Sequence, residues 1–97
     1  MKIPKEIKIC GYDFEVILRN RKEDGIDVSG SMRLSEQKLW IDTNQCQEQR
    51  ESALIHEIIE AINMVNDLNL SHQQICVLEN NLYQVLKDNF LNESPKK

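Results

Sequence analysis

The sequence predicts an α+β domain: a small antiparallel sheet of three or four strands in the N-terminal half, followed by two antiparallel helices. Three observations carry this expectation. Up to residue 42, apolar and polar residues alternate in short runs punctuated by glycine. From Asn44 onward neither glycine nor proline occurs again until Pro95, and the apolar spacing changes to that of a helix. Only "LNLS" (68–71) separates the two helical stretches, a connection short enough that they must double back on each other.

Taken in order, "IKIC" (7–10) and "YDFEVIL" (12–18) alternate and meet at Gly11, the pattern of a short hairpin. "RNRKEDG" (19–25) follows as a charged loop ending in a glycine able to take positive φ. "GSMRLS" (30–35) and "KLWID" (38–42) make a second strand pair, turning at Ser35, Glu36 and Gln37. One face of such a sheet is expected to be wet. The helices are expected at about 45–67 and 72–91. Ser71 with Gln74 fits a capping box for the second, and Asn44 with Gln47 a weaker one for the first. Asp42, Thr43 and Asn44 read as turn and cap residues. Residues 1–92 form a single domain in this reading, and 93–97 a disordered tail.

Composition narrows the function. A chain of 97 residues buries only about two-thirds of the surface its unfolded form exposes, which disfavours a deep, multi-layered active site. Twelve Lys and Arg against 16 Asp and Glu give a net charge of −4. With the basic residues scattered, this argues against binding nucleic acid through phosphate neutralisation, and so against a role as a DNA-binding accessory. The three cysteines, Cys10, Cys46 and Cys76, lack C-x-x-C spacing and are odd in number, which fits a reducing compartment, the cytoplasm, better than a disulfide framework. No apolar run approaches the ~18 residues of a membrane span, and no signal-peptide pattern opens the chain.

Chemistry concentrates in "LIHEIIEAI" (54–62). At about 100° per residue, Ile55, Ile58, Ile59, Ile62 and Val65 share a broad apolar arc, with Leu54 and Ala61 at its edge. His56, Glu60, Asn63 and Asp67 fall in a narrow stripe opposite, with Glu57 turned well away from His56. Such a stripe is what the solvated side of any amphipathic helix presents. It is also what a metal site needs, because His at i and Glu at i+4 stack on one face and zinc accepts imidazole and carboxylate together. Glu57 would then stand where the glutamate of H-E-x-x-H takes a proton from water, although the last position here is Glu60 rather than His.

The second helix bears on that choice. Its apolar stripe is Ile75, Leu78, Leu82, Val85 and Leu86, flanked by Cys76, Tyr83 and Phe90, and His72 and Glu79 lie inside or at the edge of this arc. Polar groups on the side expected to face the first helix need partners there, unless His72 sits exposed in the first turn. If His72 faces His56 and Glu60, the set is two histidines and a glutamate, the inventory of a catalytic zinc site with a fourth position left for water. Glu79 is then either an acceptor for a ligand's ring N–H or a rival ligand. Cys76, a turn beyond His72, reads as a small apolar residue outside the site. Trp40 reads as packing on the sheet's less crowded face or against the first helix.

With "LWIDTN", "QRESALIHEIIEAIN" and "LSHQQICVLENNLYQVLKDN" in view, the chain resembles a family of short phage and prophage proteins that look like minimal zincins, distantly related to the ImmA/IrrE-type metallopeptidases. The resemblance spans about residues 28–91 and is most specific at "ALIHEIIEAI" and "LYQVLKDN". It implies a sheet, an active-site helix, and a second helix that supplies the third ligand. Members with H-E-x-x-H carry an acidic third ligand near the position of His72, so Glu60 for His and His72 for the acid would compensate each other. It also implies that a peptide substrate or partner pairs with the strand before the helix, "KLWID" (38–42), by strand addition. Tyr83 is the one residue to consider for stabilising an oxyanion.

Two functions follow as expectations. The first is a zinc-dependent metallopeptidase-like protein, with His56, Glu60 and His72 holding Zn²⁺ and Glu57 as general base. The second is a non-enzymatic protein-binding module of the same fold with a structural or vestigial metal site. Mn²⁺ or Fe²⁺ could occupy the same donors.

Overall fold

A computed structural model describes residues 2–20 and 30–91 of the chain. Four strands, β1 (Glu6–Ile9), β2 (Tyr12–Arg19), β3 (Gly30–Arg33) and β4 (Lys38–Asp42), are followed by helices α1 (Gln47–Asn66) and α2 (His72–Asn89). The α+β architecture is thus the expected one. Most of the charged loop expected at 19–25, from residue 21 onward, and the tail expected at 93–97 lie outside the described residues.

Local chemistry explains the turns. Between β1 and β2, Cys10 and Gly11 both take positive φ, 53° and 83°, the requirement of a tight two-residue hairpin whose twist matches the strands. The turn between β3 and β4 is a single 3₁₀ turn, Leu34–Glu36, closed by Gln37 in the left-handed region. Gln37 also ties β2 to this turn: its side chain donates to the Asp13 carbonyl at 2.7 Å, and its carbonyl accepts from the Glu15 N–H.

The sheet is mixed, not purely antiparallel. Its order is β1-β2-β4-β3. The outer pairs are antiparallel, but β2 and β4 run parallel, with Val16 beside Leu39 and Ile17 beside Trp40. The strand 38–42 is therefore interior, hydrogen-bonded to β2 on one side and β3 on the other, and it has no free edge for strand addition. β3 and β1 are the outer strands.

Helix α1 crosses the sheet over β4, β3 and β1. Phe14, Leu39 and Ile41 are fully enclosed there with Ile9, Val16, Ala53, Leu54 and Ala61. Trp40 alternates with Leu39 and Ile41 and so lies on the sheet's other face. A second, smaller cluster of Ile55, Ile59 and Ile75, joined by Leu70, Tyr83 and Leu86, fills the space between α1 and α2, and Ile58 touches both clusters.

The structure decides between two readings of α1 and corrects one of α2. The stripe of α1 is not uniformly solvated: α2 partly covers His56 and Glu60, with side chains 16% and 31% exposed, while Asp67 at its end is exposed. Conversely, Leu78, Leu82 and Val85, expected in the core, are 40–44% exposed. α2 turns Ile75, Glu79, Tyr83 and Leu86 inward, because the polar groups of α1 need partners from it.

The helix starts divide likewise. Ser71 and Gln74 form the full capping box, at 3.1 and 2.8 Å. α1 begins after Cys46 with no side-chain cap, and Asn44 instead gives its backbone N–H to Asp42 Oδ1. The helix connection is held by Asn63, whose side chain accepts from the Leu70 N–H at 2.9 Å. No helix among the described residues is long and apolar enough to cross a membrane.

Candidate metal centre

The two helices meet through side chains at helical spacing: Ser52, His56 and Glu60 on α1 face His72, Cys76, Glu79 and Tyr83 on α2. Because the helices are antiparallel, early residues of α2 meet the later part of α1. His72 thus comes to the His56–Glu60 end, and Tyr83 to Glu51.

His56, Glu60 and His72 are brought together: one potential ligand atom from each lies within 4.8 Å of the others. His56 Nε2 is 3.4 Å from Glu60 Oε2, and the two imidazole centroids are 5.6 Å apart at a 59° tilt. A tetrahedral zinc with bonds of ~2.1 Å separates neighbouring ligand atoms by ~3.4 Å. The His56–Glu60 pair therefore already has the span of one edge of such a site. His56 is mostly covered, while His72 is exposed, so the cluster sits at the rim of the helix interface with one side open to solvent.

Glu79 occupies the other nitrogen of His56: its Oε1 is 2.7 Å from Nδ1, hydrogen-bond distance and shorter than the edge of a zinc tetrahedron. The Ser52 hydroxyl donates to the second oxygen of Glu79. This relay fixes the ring, leaves Nε2 toward Glu60, and is the arrangement in which a carboxylate orients a metal-binding histidine. Ser52 was not singled out in the sequence, although it stands four residues before His56 and continues the stripe. Cys76, left out of the site by the sequence reading, has its Sγ 3.4 Å from His72 Nε2.

Glu57 points elsewhere. It is buried, 6% exposed, and turned toward the sheet, where its Oε2 lies 3.1 Å from the place a Cβ would occupy on Gly30. A side chain at residue 30 would push against this carboxylate and the Trp40 carbonyl. Burial raises the Glu57 carboxyl to about 7; His56 lowers it, and the negative charges of Glu60 and Glu79 raise it further. It is thus electrostatically coupled to the cluster while packed on the opposite side of α1.

Tyr83 is engaged away from the cluster. Its hydroxyl donates to Glu51 Oε1 at 2.5 Å, and Gln47 supplies that carboxylate with a further donor. Burial and then the Glu51 carboxylate push its phenol well above the ordinary range. Its role is to satisfy a buried carboxylate, not to reach an oxyanion at His56.

Compared with known protein families, with curated proteins and with solved structures, the chain matches none.

Proposed function

We propose that this is a zincin-like domain of phage or prophage type in which His56, Glu60 and His72 hold a zinc ion at the rim of the α1–α2 interface. The convergence of two histidines and a carboxylate from two helices, with His56 oriented by Glu79, is the observation that carries this reading. Zinc in that position would supply a Lewis acid and a bound water of lowered pKa, the means of hydrolysing a peptide bond.

The chain's own residues divide the remaining work. Glu79 keeps the proton of His56 on Nδ1 and so directs Nε2 to the ion. Glu57 remains the candidate general base by its raised carboxyl of about 7, but it packs under Gly30 on the other side of α1 and would have to leave that packing to reach water on the ion. A peptide would pair along β3, the outer strand, which begins at Gly30 beside Glu57, since β4 is flanked on both sides. A reducing compartment such as the cytoplasm suits the three free thiols.

The enclosure of Glu57 favours a second reading, a non-enzymatic protein-binding module with a structural or vestigial metal site, because a buried carboxylate beneath Gly30 meets water only if the N-terminal end of β3 shifts. Glu57→Gln separates the two. The peptidase reading expects unchanged zinc content with peptide hydrolysis abolished. The module reading expects no hydrolysis in either protein and partner binding insensitive to the substitution.

A further inference from the structure

A zinc ion on His56, Glu60 and His72 has a fourth position, and the open-site reading gives it to water. The structure places a better ligand beside it. Cys76 stands four residues after His72 on α2, as Glu60 stands four after His56 on α1, so each helix presents one stacked pair to the other. The two pairs have the same span, 3.4 Å from His56 Nε2 to Glu60 Oε2 and 3.4 Å from His72 Nε2 to Cys76 Sγ. A tetrahedral ion with one sulfur and one nitrogen ligand sets those two atoms roughly 3.6 Å apart, from bonds of ~2.3 and ~2.1 Å. Each pair therefore has the span of one edge of a coordination tetrahedron, which has two edges that share no ligand; Cys76 and Glu60 themselves fall in separate triads that share His56, and one ion would draw the two pairs together.

Cys76 also lies within 4.8 Å of a His56 ring nitrogen and of the Glu79 carboxylate, on the inner side of the cluster and half-buried. Of these neighbours Glu79 is the one excluded as a ligand by distance: at 2.7 Å from His56 Nδ1 it is hydrogen-bonded, too close to share an ion with that nitrogen. That leaves the thiol. Thiolate is the softest donor in the set and binds zinc readily once metal binding has displaced its proton.

Building on the zinc site proposed above, we infer that Cys76 Sγ is the fourth ligand, closing the centre as His₂-Glu-Cys in the resting protein. Two consequences follow. Four protein ligands make the centre a clamp between α1 and α2, the coordination of a structural zinc site. Water reaches the ion only when the Cys76 thiolate leaves it, so any hydrolase activity is latent while the thiolate is bound, and alkylation of Cys76 is suppressed by metal.

Cobalt replaces zinc and reports its ligands spectroscopically. The chelated full chain is titrated with Co²⁺ as wild type, Cys76→Ser and His56→Ala. The expected result is one equivalent bound by wild type, with the visible bands of a four-coordinate ion and a near-ultraviolet thiolate-to-cobalt band. Cys76→Ser should lose the near-ultraviolet band while still taking up cobalt, and His56→Ala should bind none. Stoichiometric cobalt without a thiolate band in wild type overturns the assignment of Cys76 and leaves the three-residue site standing. So does a band that survives Cys76→Ser, which would belong to Cys10 or Cys46. No cobalt uptake by a folded wild type removes the zinc site and this inference with it.

Discussion

Helix α1 shows unlike faces to its two neighbours. Toward the sheet it offers Ala53, Leu54 and Ala61 to Phe14, Leu39 and Ile41, an apolar contact interrupted by one carboxyl, Glu57. Toward α2 the apolar contact is smaller, Ile55 and Ile59 on Ile75 with Ile58, Leu70, Tyr83 and Leu86 around them, and polar pairs cross to α2 beside it: Glu51 with Tyr83, Ser52 with Glu79, His56 with Glu79. Apolar burial is non-directional and tolerates many packings, whereas a buried polar group is costly unless it meets its partner. The sheet face therefore supplies stability. The α2 face selects one rotation of α2, at the expense of leaving Leu78, Leu82 and Val85 in water.

The contrast can be broken from the sheet side first. Phe14 is fully enclosed, so Phe14→Ala should cost about 3–5 kcal/mol. Chemical denaturation checks this, and the fraction that remains folded should keep the metal content of wild type.

Next comes the carboxyl that interrupts this face. Its acid form is favoured in the folded protein, at about 7 against 4.5 for the unfolded chain, so the folded state binds more protons between those values. The contribution of Glu57 to the stability of the chelated protein should be fully present below about 4.5 and be lost as pH rises through 7, by about 3 kcal/mol. Denaturation midpoints at pH 5 and pH 8 measure the slope, and Glu57→Gln should flatten it. An equal slope in Glu57→Gln would place its origin elsewhere.

On the α2 face the effects are smaller in stability and larger in specificity. Tyr83→Phe removes a donor from the buried Glu51 carboxylate and should cost about 1–3 kcal/mol, readable as a lowered midpoint. Lys87→Ala breaks an exposed contact with Glu48 and should change stability by less than about 0.5 kcal/mol. A larger loss would mean that the ends of the helices are coupled to the cluster.

What the sequence revealed follows from the range of each interaction. The Ser71–Gln74 capping box and the hairpin at Gly11 are decided within four residues, and both occur as expected. The alignment of His56 with Glu60 is equally local, one helical turn on a single element. Pairing of β2 with β4 is not local: alternation looks the same whether the neighbour runs parallel or antiparallel, so the interior position of 38–42 was not legible. The places of Ser52 and Cys76 depend on the rotation of α2, and an apolar stripe alone pointed to Leu78, Leu82 and Val85 instead. Glu57 reads as polar in sequence, and only the crossing of α1 over β3 buries it against Gly30.

The central claim is that the two helices share one ion, and metal content decides it most directly. Plasma mass spectrometry on protein purified without nickel affinity should find close to one zinc per chain in wild type and almost none in His56→Ala or His72→Ala, with all three folded by circular dichroism. Zinc absent from wild type after reconstitution at neutral pH, or retained in full by His72→Ala, would contradict the account.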